Sequence, residues 1–233
     1  MKIAAVCCTY KRPKQLAQAI ESFLRQDYPA ELRELVVLDD AGQYAPQRGK
    51  GWHIVSVSQR FRTLGEKRNA SVASAAANTE AYCVWDDDDI YLPWHMSAAA
   101  KSLEVADFAI PSVVYIDKVD RLLAKKNQRL FHGAWSFTRS AFERVNGYPP
   151  QQSGQDKGLL VRFREAQLRR ADPIQFEPRP SYVYRWYTEH NFHLSAMGAT
   201  GYEDLEKLPG GSVEPIVPAW DRDWVALHEQ LKR

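Results

Sequence analysis

The stretch Ala81-Tyr82-Cys83-Val84-Trp85-Asp86-Asp87-Asp88-Asp89 decides how this chain is read. Its first five residues form an unbroken apolar run, the pattern of a strand buried on both faces. The run stops at four aspartates. In open α/β sheets, ligands bind just past the carboxyl ends of the strands. Carboxylates placed there are more informative than carboxylates in a surface loop. Four adjacent carboxylates repel one another unless something positive sits among them. Hard divalent cations select carboxylate oxygen and commonly take one or two carboxylates plus substrate phosphates. The competing reading is a turn leading into a helix near Pro93, where Asp is favoured by capping and by the helix dipole.

Working outward, residues 3–9 read as a buried strand, and Pro13 opens a helix at a position where its missing N–H costs nothing. Leu16, Ala19, Ile20, Phe23 and Leu24 follow at helical spacing. Residues 35–38 are a second buried strand ending on Asp39-Asp40, and 54–57 a third. The Ala-rich stretch 67–77 predicts a helix. This alternation implies a parallel α/β sheet over residues 1 to about 105. Further on, 108–117 and 121–124 predict strands. Thr138 caps a short helix closing at Asn146-Gly147. Ser153 would cap a longer helix reaching about residue 170. Residues 174–176 and 181–187 predict further strands, and Trp220, Trp224, Leu227 and Leu231 keep helical spacing. No linker divides the chain. We therefore expect one domain over 1–233: a nucleotide-binding half (1–105), an acceptor and catalytic-base half (106–211), and a final loop and helix (212–233).

The 45% hydrophobic and 26% charged residues fit a globular protein, and a net charge of +2 excludes a uniformly basic nucleic-acid binder. Basic residues do cluster around Arg60-Phe61-Arg62, Lys125-Lys126 and 162–170. Cys7, Cys8 and Cys83 lie in expected strands and do not suggest a disulfide framework. No stretch approaches the roughly 18 apolar residues of a membrane span, and no signal-peptide core is evident. A cytoplasmic protein is the expectation.

Two other segments bear on the chemistry. Residues 184–195 hold His190 and His193, and imidazole can complete an Asp-based Mn²⁺ site. Ser153-Gly154-Gln155-Asp156 has two readings. It resembles a capping box, with Ser and Asp satisfying each other's backbone donors; alternatively, Asp156 is a general base.

These pieces, in this order, resemble the inverting glycosyltransferases of family two, which share the GT-A fold. The resemblance covers roughly residues 1–195. Cys8-Thr9-Tyr10-Lys11-Arg12-Pro13 is similar to the family's opening strand and turn, which lies against the nucleotide base. Val37-Leu38-Asp39-Asp40-Ala41-Gly42 is similar to its second-strand acidic motif, which places Asp39 or Asp40 at uracil and ribose. Leu64-Gly65-Glu66-Lys67-Arg68-Asn69-Ala70 resembles the Gly-x-x-x-Arg-Asn segment facing the nucleotide, with Lys67 and Arg68 as phosphate or base donors. Residues 85–93 are similar to the Asp-x-Asp motif: the resemblance puts Asp86 and Asp87 near the ribose and Asp88 on the metal. Gly133 and the segment ending at Gly147-Tyr148 look like the acceptor-side turn. Gly154-Gln155-Asp156 resembles the Gly-Glu-Asp motif whose Asp is the base, with Gln155 replacing the Glu. His193-Leu194-Ser195 looks like the segment whose His meets the metal, His190 being second choice.

What the resemblance implies is a GT-A fold with a mixed, mostly parallel central sheet flanked by helices. It also implies a Mn²⁺- or Mg²⁺-dependent inverting glycosyltransferase taking a sugar from a nucleoside diphosphate donor, UDP-sugar foremost. Two other classes stay open: a non-catalytic nucleotide-sugar-binding module and a metal-dependent nucleotidyltransferase. The acceptor is a surface glycan or lipid-linked sugar, or a hydroxymethylated base in DNA. The sequence assigns neither the sugar nor an oligomeric state.

Overall fold

The computed structural model describes residues 1–128, 131–185 and 215–231. Its centre is β1 (Ile3–Thr9), flanked on both sides by parallel strands, β2 (Arg33–Asp39) and β5 (Ala81–Asp86); Ile3 pairs with Arg33 on one side and Ala81 on the other. Beyond β2 lies parallel β4 (Trp52–Ser56), and antiparallel β3 (Gln47–Gly49) closes that edge. On the opposite side β10 (Ser136–Thr138) runs antiparallel to β5 and to β7 (Phe108–Ala109), and β11 (Arg170–Ala171) pairs parallel with β7. A second, four-stranded sheet has the order β6 (Ile90–Tyr91), β12 (Tyr182–Tyr184), β8 (Val113–Asp117), β9 (Leu122–Lys126). The described helices are α1 (Pro13–Leu24), α2 (Leu64–Ala73), α3 (His95–Leu103), α4 (Arg139–Arg144), α5 (Gln155–Glu165) and α6 (Trp224–Gln230).

The central strands sort their side chains by alternation. Ile3, Ala5, Cys7, Cys83 and Trp85 enter one core with the buried face of α1, Leu16, Ala19, Ile20 and Phe23. Ala4, Val6, Tyr82 and Val84 enter the other, with Phe137, Leu159 and Phe163. Both faces are thus covered, which is why β1 and β5 read as continuous apolar runs. Trp85 stacks on Tyr91 with ring centroids 3.7 Å apart, and its Nε1 donates to the Ala19 carbonyl at 3.0 Å. The acidic turn after β5 is therefore anchored on both sides by buried aromatic packing.

Several expectations need correction. The predicted strand 108–117 is two strands in different sheets: Pro111 lies between them, and a residue without an N–H cannot continue a ladder. Residues 174–176 fall in a 3₁₀ turn (Pro173–Gln175), because the Asp172 carboxylate caps the Ile174 amide at 3.1 Å and also accepts from Ser112 N. The helix expected over 67–77 begins at Leu64 and ends at Ala73. The signal overlooked was Thr63-x-x-Glu66, a complete capping box. The helix expected from Ser153 to about 170 is α5, with Gly154 at its N-cap at φ +76 and no side-chain cap. The Ser153–Asp156 capping box does not form. Thr138 caps α4 as read, accepting from Ala141 N at 3.1 Å, and Asn146 and Gly147 close the helix at positive φ.

Candidate active site

The carboxyl ends of β1 and β2, the start of α1 and the first turn of α2 enclose a cavity of about 340 Å³. Five of the expected residues line it: Thr9, Tyr10, Arg12, Asp40 and Lys67. Lys67, buried, donates to the Thr9 carbonyl at 2.6 Å and to Asp40 Oδ1. The other Asp40 oxygen accepts from Phe61 N at 3.2 Å, which draws the 60–63 loop over the pocket. Arg60 stacks its guanidinium 4.2 Å from the centre of the Tyr10 ring, and Arg62 lines the same wall. The 60–62 basic patch is thus part of a cationic cavity beside an aromatic ring, a combination suited to a nucleotide's base and phosphates. Gln152 also lines the cavity. It lies four residues before Asp156, which stands in the first turn of α5.

The amides opening α2 are not left for an anion. Leu64 N donates to Gln152 Oε1 at 2.9 Å, Gly65 N to the Gln151 carbonyl at 3.1 Å, and Glu66 N to Thr63 Oγ1 at 3.1 Å. A Cβ on Gly65 would lie 2.0 Å from the Pro149 carbonyl, so only glycine permits this approach. Four residues on, Asn69 clasps the Tyr148 backbone from both sides: Nδ2 donates to Tyr148 O and Oδ1 accepts from Tyr148 N, each at 2.9 Å. The Gly65–Asn69 segment, expected to face the nucleotide, is thus also the joint between α2 and the loop leading to Asp156.

Each aspartate of the acidic run meets a partner from the chain itself, although neither oxygen of buried Asp87 accepts a hydrogen bond. Arg68 pairs with Asp86 at 3.1 Å. Arg12 pairs with Asp87 at 2.5 Å and Asp88 at 2.8 Å. Asp89 accepts from the Tyr182 hydroxyl and from Arg185 N at 3.1 Å. The positive charge that the sequence reading sought in a metal is supplied here by two arginines. Burial raises the pKa of Asp86 against the pull of Arg68, and that of Asp87 against the pull of Arg12.

Other expected residues take supporting places. Asp39 is fully buried. Its carboxylate accepts from Ala41 N, Gln43 N and Ser56 Oγ at 2.8–2.9 Å, so it builds the turn after β2 and leaves the cavity to Asp40. Asp87, expected near the ribose, has no exposed surface and pairs with Arg12. Gly133 makes room: a Cβ there would lie 2.6 Å from Asp86 Oδ2. The adjacent His132 is buried, at 3.1 Å from the Tyr148 hydroxyl, and burial followed by the Arg68 charge pushes its pKa well below the usual value, so it is neutral. His190 and His193 lie outside the described residues. The sequence reading passed over Arg185, whose side chain reaches the Asp88 carbonyl and Gln18 Oε1. No local signal in the sequence marks it, since its partners in the acidic run lie nearly a hundred residues earlier. Arg162, read within a basic patch, donates to the Gly147 carbonyl at 2.8 Å and caps α4.

Among the described residues no three His, Cys, Asp or Glu side chains gather as a ready metal cage. Asp88 fits a hard divalent ion chemically, and diphosphate oxygens are the usual source of the remaining ligands. The donor set therefore suits a cation that arrives with a phosphate-bearing ligand.

The comparisons agree with this architecture. The model of glycosyl transferase family 2 matches residues 5–170, and the chain belongs to that family. A Bacillus subtilis (strain 168) relative, the uncharacterized glycosyltransferase YwdF, is 33% identical over 112 residues, covering 46% of this chain and 40% of the relative. The fold matches S. aureus TarS 1–349 in complex with UDP-GlcNAc at TM-score 0.66 and 14% identity, over 84% of this chain and 61% of that one. It also matches the mannosyltransferase PcManGT from Pyrobaculum calidifontis in complex with GDP-Man and Mn²⁺ at TM-score 0.60 and 18% identity, over 93% and 67%. The fold is GT-A. The chain spans less than half of the YwdF relative's length and about three fifths of the TarS chain. Among the described residues no helix is long and apolar enough to cross a membrane. Cys7, Cys8 and Cys83 are free thiols.

Proposed function

We propose that this chain is a metal-dependent inverting glycosyltransferase that takes a sugar from a nucleoside diphosphate donor, a UDP-sugar by preference. The observation that supports it best is the cavity at the ends of β1 and β2. Tyr10 offers a flat face, Asp40 an acceptor for base or ribose, and Arg12, Arg60, Arg62 and Lys67 the charge for a diphosphate. Family membership and the donors bound by TarS and PcManGT point the same way.

Residues 1–105 would hold the donor and 106–211 the acceptor and base, followed by the C-terminal loop and helix of 212–233. Asp156 takes the proton from the acceptor hydroxyl as that oxygen forms its bond to the anomeric carbon. A single displacement inverts the centre. Asp88, with His193 as a further ligand, would hold Mn²⁺ or Mg²⁺, which when bound supplies charge neutralisation at the leaving diphosphate. Arg12, Arg60 and Lys67 bind the same phosphates. Asp86, held by Arg68 and given space by Gly133, would take the ribose side.

The acceptor we favour is a glycan or lipid-linked sugar, in a cytoplasmic setting. Of the three basic patches that suggested DNA, one lines the donor cavity, and Arg162 of another caps a helix. Binding and slow hydrolysis of a panel of UDP- and GDP-sugars, with and without Mn²⁺, tests the reading. Metal-dependent release of nucleoside diphosphate from one donor supports it. Release of pyrophosphate would instead mark a nucleotidyltransferase, and binding without turnover a non-catalytic module. Asp88→Asn should lose most of the metal-dependent activity; unchanged turnover would remove Asp88 from the site.

A further inference from the structure

Arg12 stands at the junction of the two halves of the candidate site. It is the last residue before α1, and its guanidinium bridges two buried carboxylates: Nη2 lies 2.5 Å from Asp87 Oδ1 and Nη1 2.8 Å from Asp88 Oδ2. The same side chain lines the cationic cavity. A divalent ion on Asp88 would share this carboxylate pair with a guanidinium, and the two positive charges repel at that range. A diphosphate in the cavity offers the guanidinium another partner of the geometry it prefers, two oxygens for a planar fork.

We propose that Arg12 is a resident counter-cation that excludes a divalent metal until a nucleoside diphosphate is present. The inference rests on the donor-and-metal reading above. A diphosphate would draw the guanidinium from Asp88, leaving Asp88 Oδ2 able to hold the metal. Metal and nucleotide are then coupled through one side chain, each raising the other's affinity by the same factor. Asp87, which has no exposed surface and lies 2.5 Å from the same guanidinium, sits beside the exchange.

The test uses the intact chain, with Mn²⁺ and UDP as probes. Free Mn²⁺ is followed by electron paramagnetic resonance and UDP by calorimetry, each with and without the other, for the parent chain, Arg12→Met and Arg12→Lys. Circular dichroism and thermal melting establish that each variant is folded. The parent chain should bind Mn²⁺ weakly alone and much more tightly with UDP. Arg12→Met removes one unit charge from the carboxylate pair, and charges this close shift an equilibrium by roughly one to three powers of ten. Its Mn²⁺ affinity without nucleotide should therefore rise about tenfold or more, and the coupling factor should shrink. Arg12→Lys keeps the charge but loses the fork, so it should fall between. Should Arg12→Met not fold, Arg12→Lys alone decides: parent-like affinity and coupling would overturn the proposal. Equal nucleotide-free Mn²⁺ affinity in parent and Arg12→Met would overturn the gate and leave the metal reading intact. UDP binding with no Mn²⁺ uptake in any of the three would remove the metal role and the gate together.

Discussion

Replacing Asn69 with Ala tests whether α2 is a joint or a nucleotide contact. The side chain makes two hydrogen bonds of 2.9 Å, one to each polar group of the Tyr148 backbone. Tyr148 is 2% exposed, so water cannot readily replace them. A buried group deprived of its partner costs about 1–3 kcal/mol. Two such groups give about 2–6 kcal/mol, and some relaxation of the 147–152 loop should bring the result toward the lower end. Urea denaturation of parent and variant measures it, since a loss of that size shifts the midpoint without changing the slope. Asn69→Asp is the companion: it keeps the acceptor for Tyr148 N, loses the donor to Tyr148 O, and should cost about half. Steady-state kinetics supplies the second readout. As a joint, Asn69 sets the position of the segment that carries Asp156, so kcat should fall while donor KM changes little. A normal urea midpoint together with a large rise in donor KM would refute the clasp and return Asn69 to the nucleotide.

The remaining predictions concern other sites. Asp156→Asn should lower turnover roughly 10²–10⁴-fold with an unchanged melting temperature, because Gly154 and not a side chain caps α5; a matched loss of stability and activity would argue for a structural role. Gly133→Ala puts a Cβ 2.6 Å from Asp86 Oδ2, and crowding of this kind costs about 1–3 kcal/mol, so thermal melting should drop and donor KM should rise. An Ala variant with parent-like melting and KM would show that Asp86 moves freely. Acid should destabilise the protein early. Burial lowers the pKa of His95 to about 3, so the unfolded chain takes a proton below about 6.5 that the folded chain refuses. That stability is present above pH 6.5 and is lost as pH falls toward 3, at about 1.4 kcal/mol per unit from this residue. His95→Gln should flatten the slope of unfolding free energy between pH 6 and 4 by about one proton, and an unchanged slope would clear His95 of the effect.

What the sequence made legible was periodicity and punctuation. The runs at 3–9, 35–38 and 81–85 could be little but buried parallel strands, and the carboxylates after the second and third marked the sheet end where the cavity opens. The Thr138 cap and the Asn146-Gly147 closure were local signals with local causes. What the sequence hid was set by partners far away in the chain. Nothing near residue 12 shows that its guanidinium would meet Asp87 and Asp88, 75 and 76 positions later. The charge argument for a metal was sound in requiring a cation and incomplete in overlooking arginine. Asp39 and Asp40 are identical in sequence terms, yet the turn after β2 consumes one and presents the other. Pro111 was visible, but its splitting of one apolar stretch between two sheets depended on where each piece found a neighbour. The capping box at Thr63 and Glu66 was legible and was missed because the helix was sought from its alanines.

Strand β10 carries a consequence for how the chain is made. It belongs to the later half of the sequence, yet it pairs with β5, and Val84 N donates to the Trp135 carbonyl at 2.9 Å. A nascent chain that has emerged only as far as residue 105 would hold β1, β2, β4 and β5 with one long apolar flank unpaired. Such an edge is a template for unwanted strand addition. It stays open until some thirty further residues leave the ribosome, at the usual few to twenty residues per second. Loops between β5 and β10 therefore set a waiting time as well as a shape. Insertions there would lengthen the interval in which the half-built sheet is sticky, so even a variant with an undisturbed final structure could yield less protein.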